Sequence, residues 1–121
     1  MVKNYLSLEL GGQKRGLKFN IGTLRCIKDV AGMDALSFKA ESENLNDLLV
    51  YAEKIMHAAL LSNCLSKKEH ADFTAEDVAI WLNDLDMPTV TEIINLYNGI
   101  FSTGQPSANG EVGKDTQPAV V

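Results

Sequence analysis

The chain is poor in the residues that build metal and redox centres. It holds two cysteines, Cys26 and Cys64, and two histidines, His57 and His70. A zinc site takes about four close Cys, His or carboxylate ligands, and no CxxC, HxxxH or HExxH spacing supplies them. The cysteines fit reduced thiols on helix faces, since a disulfide belongs to an oxidising compartment. Long apolar runs are also missing, with nothing near the ~20 residues a membrane span requires. The N-terminus has no signal-peptide apolar core, so the chain is expected to stay in the cytoplasm where it is made. No GxxxxGK[ST] run is present and no helix start follows Gly11-Gly12 closely, which excludes a phosphate loop there. No third residue is spaced to orient a base beside Cys64 and a histidine. The acids Glu76, Asp77, Asp84 and Asp86 are placed as helix caps and solvated ends. A catalytic, cofactor or metal site is therefore not expected. Trp81, the only tryptophan, reads as a core anchor.

What is present is ordinary in bulk and specific in pattern. With 121 residues, 45% of them apolar, the chain has room for one core. Leu6, Leu8 and Leu10 alternate up to Gly11-Gly12, a pair suited to the positive φ angles of a two-residue hairpin turn. That turn sets Leu10 opposite Gln13, Glu9 opposite Lys14, Leu8 opposite Arg15 and Leu6 opposite Leu17. One face then carries Leu6, Leu8, Leu10, Leu17 and Phe19; the other carries Tyr5, Ser7, Glu9, Lys14, Gly16 and Lys18. A two-stranded hairpin is marginal alone, and the helix that follows is the expected support. Asn20 suits its N-cap, Leu24, Ile27, Val30 and Ala31 its apolar face, and Gly32 its C′ position.

Three further helices are expected. Residues 33–43 form a connector with Leu36 and Phe38 as core anchors. From Asn44 a stripe of Leu45, Leu48, Leu49, Ala52, Ile55, Met56, Ala59 and Leu60, extended by Leu61 and Cys64, marks a long helix of about 20 residues. Thr74 and Asp77 resemble a capping box for a short helix with Val78, Ala79, Trp81, Leu82 and Leu85. Met87-Pro88 breaks it, and a last helix starts near Pro88 or Thr89, with Glu92 completing a box on Thr89. Its apolar surface is Ile93, Ile94, Leu96, Tyr97, Ile100 and Phe101. Residues 104–121, rich in Gly, Pro, Ser, Gln and Asn, have the composition of a disordered tail or linker. The expected fold is α+β and mainly α: residues 1–103 as one domain, an N-terminal hairpin packed on about four helices, followed by the tail.

Several of these residues resemble the opening of tail assembly chaperones of long-tailed bacteriophages. The matching elements are Gly11-Gly12, Arg15-Gly16-Leu17-Lys18-Phe19, Asn20-Ile21-Gly22-Thr23-Leu24 and Ala31-Gly32-Met33-Asp34. They cover about the first third of the chain; the remainder matches in helical layout and flexible C-terminus. The resemblance implies a non-enzymatic factor that binds the tape-measure and tail-tube proteins during tail assembly. It would work in the host bacterial cytoplasm and be absent from the mature virion. It also implies that a ribosomal frameshift near Gly113-Lys114 could append a second domain through the tail. A small virion subunit such as a head–tail connector is one alternative, and a DNA-binding or regulatory helical module is another.

Charge is uneven. Residues 1–30 carry a net +4 and residues 31–121 a net −9, for −5 in all. Lys14, Arg15 and Lys18 beside an open strand edge are the candidate partner-binding residues, with weak, salt-sensitive self-association expected. An acidic chain with Tyr5 alone among these cations argues against nucleic acid. The helix after the hairpin carries Arg25 and Lys28 but also Asp29, a poor recognition helix.

Overall fold

The computed structural model describes residues 4–38 and 43–103. Strands β1 (Tyr5–Leu10) and β2 (Gln13–Lys18) are followed by helices α1 (Ile21–Ala31), α2 (Leu45–Ser66), α3 (Ala75–Asn83) and α4 (Met87–Thr103). This is the expected mainly α fold with an N-terminal hairpin. The expected tail, 104–121, lies outside the described residues.

The hairpin has the register read from its turn, from Tyr5 opposite Lys18 to Leu10 opposite Gln13. Gly11 and Gly12 take φ of 61° and 83°, angles at which any residue with a Cβ is strained. Leu6, Leu10, Leu17 and Phe19 are buried and Leu8 half-buried. On the other face the Tyr5 ring lies over Gly16, which has no side chain to resist it.

The support under the hairpin differs from expectation. β2 packs mainly on α2, and α1 packs on α2 beside it. Only Phe19 and Asn20 separate β2 from α1, so both lie against the same third element. The α1 entry is tightly tied. Asn20 accepts from the Thr23 backbone N–H at 3.3 Å, and Thr23 Oγ1 accepts from the Asn20 N–H at 3.0 Å. The Thr23 hydroxyl donates to the Lys18 carbonyl, and Ser62 of α2 donates to Asn20 Oδ1 at 2.8 Å. A Cβ on Gly22 would sit 2.7 Å from Ser62 Oγ, so glycine permits this close helix approach. Gly32 closes α1 at φ 77°, its N–H bonded to the Lys28 carbonyl.

Helix α2 contacts β2, α1, α3 and α4, and its burial is wider than one stripe. Ala58, Ser62 and Asn63 are buried along with Ala52, Ile55, Met56, Ala59 and Leu60. Leu45, by contrast, is exposed, because the first turn projects past the core. In the connector Phe38 is buried, meeting Tyr51 and Tyr97 edge-on at 5.5 and 5.8 Å. Leu36 is not an anchor, at 78% exposed. The Ser37 and Phe38 N–H groups both bond to the Asp34 carbonyl, and this single turn points Phe38 inward and Leu36 out.

Thr74 and Asp77 form the expected capping box of α3. At α4 the cap is Asp86 rather than Thr89: Asp86 Oδ1 accepts from the Thr89 N–H at 2.9 Å. Helix α4 begins at Met87, before Pro88, because proline has no N–H to lose in a first turn. Tyr97 is fully buried, and its hydroxyl has no hydrogen-bond partner among the described residues. Burial pushes its pKa up from 10.0 to about 12. Stability should therefore hold below pH 10, where an unfolded tyrosine starts to ionise, and decline as pH rises toward 12. Tyr97→Phe should reduce that decline and match or exceed the parent at neutral pH, since an orphaned buried hydroxyl costs about 1–3 kcal/mol. Urea unfolding at both pH values is the check; a neutral-pH loss above about 1 kcal/mol would show that the hydroxyl is bonded.

Candidate functional site: a groove beside strand β2

The C-terminus of α2 sets the site's geometry. Lys68 takes the left-handed φ of 58°, its N–H bonding to the Leu65 carbonyl while the Glu69 N–H returns to the Cys64 carbonyl at 2.9 Å. This is a Schellman closure with lysine where glycine is usual. Lys68→Gly should stabilise the chain by about 1 kcal/mol by removing the Cβ penalty, read as a higher denaturant midpoint; a lower midpoint would mean that the lysine side chain outweighs the strain. The reversal sends residues 69–73 back along the hairpin.

Between that segment, β2 and the last turns of α2 lies a groove of about 390 Å³. Lys14, Arg15 and Gly16 line it from the strand, Asn63, Cys64 and the C-cap Lys67 from the end of the helix, and Glu69, His70 and Asp72 from the returning segment. Arg15 is its best-defined side chain. Its register places it on the inward face opposite Leu8, and 14% of the side chain is exposed. Nε donates to the Leu10 carbonyl at 3.2 Å. Nη1 and Nη2 donate to Asp72 Oδ1 and Oδ2 at 2.7 and 3.3 Å, the paired geometry a guanidinium forms with a carboxylate. The guanidinium carbon lies 4.7 Å from the centre of the Trp81 ring and 5.7 Å from that of Phe73. Gln13 Nε2 also reaches Asp72 Oδ2, at 3.4 Å.

Of the three cations singled out in the sequence, Lys14 and Arg15 line the groove. Lys18 does not; it is half-buried at the entry to α1. Trp81 is half-buried rather than central to the core, its ring packed on the Gly11 turn and under Arg15. Asp72 and Phe73 went unnoticed in the sequence, although an arginine in an inward register calls for a carboxylate and a flat apolar partner.

The titratable groups follow their surroundings. The hydrogen bond from Arg15 holds the Asp72 carboxyl below its ordinary range, and the bond from Thr89 does the same for Asp86. Both carboxyls should stabilise the fold above 3.8, with the contribution lost as pH falls through their lower folded values. Denaturant midpoints should thus drop between about pH 5 and pH 2, and less steeply in Asp72→Asn and Asp86→Asn. Identical slopes in parent and variants would remove these two groups as the source. Burial, then the charges of Glu69 and Asp72, raises the Cys64 thiol, and burial followed by Asp29 raises that of Cys26. Both are free thiols, and the shift leaves less of the reactive thiolate at neutral pH. His57 meets the Phe73 ring edge-on at 5.9 Å, and burial followed by Lys54 lowers its pKa. Among the described residues no group of three or more His, Cys, Asp or Glu side chains is placed to hold a metal, and no helix is long and apolar enough to cross a membrane.

Comparison with protein-family models, with curated proteins and with solved structures finds no significant match.

Proposed function

We propose that the chain is a non-enzymatic assembly factor of the phage tail chaperone type, binding tape-measure and tail-tube proteins while a tail polymerises. The observation that supports this reading is the residue pattern running from Gly11-Gly12 through Asn20-Ile21-Gly22-Thr23-Leu24 to Gly32-Met33-Asp34. The same residues serve as the hairpin turn, the capping box, the helix-crossing glycine and the C-cap of one continuous unit. A client that is long and unassembled must be kept soluble, and the groove beside the strand edge offers a place to hold one segment of it. The factor acts in the host cytoplasm and leaves before the particle is complete.

The test has two parts. Co-expression of the tagged chain with the tape-measure and tube proteins of the same genome should retain one or both on affinity purification. Mass spectrometry of purified particles should lack the chain. Stoichiometric presence in particles would replace this reading with a connector-type virion subunit, and retention of neither protein would overturn it.

A further inference from the structure

Two features of the groove favour one kind of occupant. The first is the backbone of β2. The Phe19 N–H bonds to the Asn4 carbonyl at 2.8 Å, which fixes the phase of the ladder. In an antiparallel pair, residues that exchange bonds alternate with residues whose N–H and C=O face away. Leu17, Arg15 and Gln13 therefore bond to β1, while Lys18, Gly16 and Lys14 turn their backbone groups to the free edge. The Lys18 carbonyl is taken by the Thr23 hydroxyl. Both Lys14 and Gly16 line the groove; Lys14 is exposed and keeps open edge groups, whereas Gly16 is buried.

The second feature is the pairing of Arg15 with Asp72. Arg15 is 14% exposed and held over two aromatic rings, whereas Asp72 is 62% exposed on a segment between helices. A pair with one partner open to water contributes little to stability. Asp72 can swing out without uncovering a core, and Arg15 cannot follow it. With Asp72 outward, Lys14, Arg15 and Lys67 face Glu69 alone among the groove's carboxylates.

We propose that the groove captures an extended, carboxylate-bearing segment of a partner polypeptide, which adds as a strand to the β2 edge while its carboxylate replaces Asp72 on Arg15. The inference rests on the assembly-factor reading for the existence of a polypeptide client. Strand addition supplies affinity through main-chain bonds that start at Lys14, and the Arg15 fork selects glutamate or aspartate at one position. Asp72 acts as an internal competitor, keeping the cation covered until a client arrives. A second copy of this chain is a poorer occupant, because pairing β2 with β2 brings lysines onto the shared edge.

Trp81, the only tryptophan, is a built-in reporter beneath Arg15. The probe is a short synthetic peptide in which valine alternates with glutamate, with its glutamine counterpart as control, titrated into the full chain. Trp81 fluorescence should respond to the glutamate peptide, with the glutamine peptide about tenfold weaker or worse. Asp72→Asn should bind about tenfold more tightly, since the competing state is removed. Arg15→Lys keeps the charge but loses the fork and should bind about tenfold more weakly. Slowed amide exchange at Lys14 in the complex should report the added strand. Circular dichroism of each variant confirms that it is folded. Equal binding of the two peptides, unchanged or weaker binding by folded Asp72→Asn, or an unprotected Lys14 amide would each overturn the proposal. Dimerisation of Asp72→Asn without peptide would transfer the groove to a second copy and overturn it as well. If the peptide binds but co-expression retains no tail protein, the groove assignment stands and the chaperone reading falls; the reverse result removes the groove and keeps the chaperone.

Discussion

Phe19→Ala should cost about 3–5 kcal/mol, the range for deleting a buried aromatic ring, and so a large part of the 5–15 kcal/mol that holds a small domain folded. Phe19 is 3% exposed and belongs to the main core. Its N–H bonds to the Asn4 carbonyl, and the next residue is the N-cap of α1. The ring thus fixes the point where the sheet ladder ends and the helix begins. Its removal leaves a cavity under a corner held on one side by the ladder and on the other by the Ser62–Asn20 bond, so collapse into the space is restricted. Denaturant unfolding followed by helical circular dichroism reads the loss. A change below about 1 kcal/mol would show that the corner relaxes around the deletion.

That corner was legible in the sequence because each of its parts is a local rule. The period-two leucines, the Gly11-Gly12 turn, the Asn20 cap and the Gly32 exit each need a few neighbouring residues, and each is found as expected. What rests on the hairpin was not legible by the same means. Chain proximity suggested α1, whereas β2 and α1 both pack on α2, from across the chain. Helix α2 is buried over more than half of its circumference between Ala52 and Asn63, polar Ser62 and Asn63 included, and a stripe-based reading understates an element surrounded on several sides. The capping of α4 shows a smaller version of this difficulty. Asp86 and Thr89 are both good caps, and their sequence does not rank them; the backbone puts Thr89 in the third helical position, where its N–H donates to Asp86.

The groove was half legible. Lys14 and Arg15 stood out as charge beside a strand edge, and both line it. Their roles differ, because alternation sends Arg15 inward and leaves Lys14 at the rim. The partner of Arg15 comes from 57 residues away, brought there by a chain reversal at Lys68 that carries no glycine to announce it. Trp81 could be recognised as an anchor, but not that the anchored object is the hairpin turn.

The turn's contact with Trp81 yields the other large expected effect. Gly11 and Gly12 both have positive φ, so replacing either with alanine should cost about 1–2 kcal/mol in backbone strain. Space separates them. A Cβ on Gly12 meets nothing within 4 Å, whereas one on Gly11 would lie 2.8 Å from Trp81 Cζ2 and 2.9 Å from Nε1. The indole would have to shift, and it is packed against the Phe73 ring at 6.0 Å and the Arg15 guanidinium at 4.7 Å. Losing the cation–ring contact adds roughly 0.5–2 kcal/mol, so Gly11→Ala should reach about 1.5–4 kcal/mol in total. Gly11→Ala should also change the emission of Trp81, and Gly12→Ala should leave it as in the parent. Equal destabilisation by the two substitutions, with unaltered emission in both, would mean that the turn and α3 are not in contact in solution. The Arg15 fork would then lack the aromatic floor that holds it at the mouth of the groove.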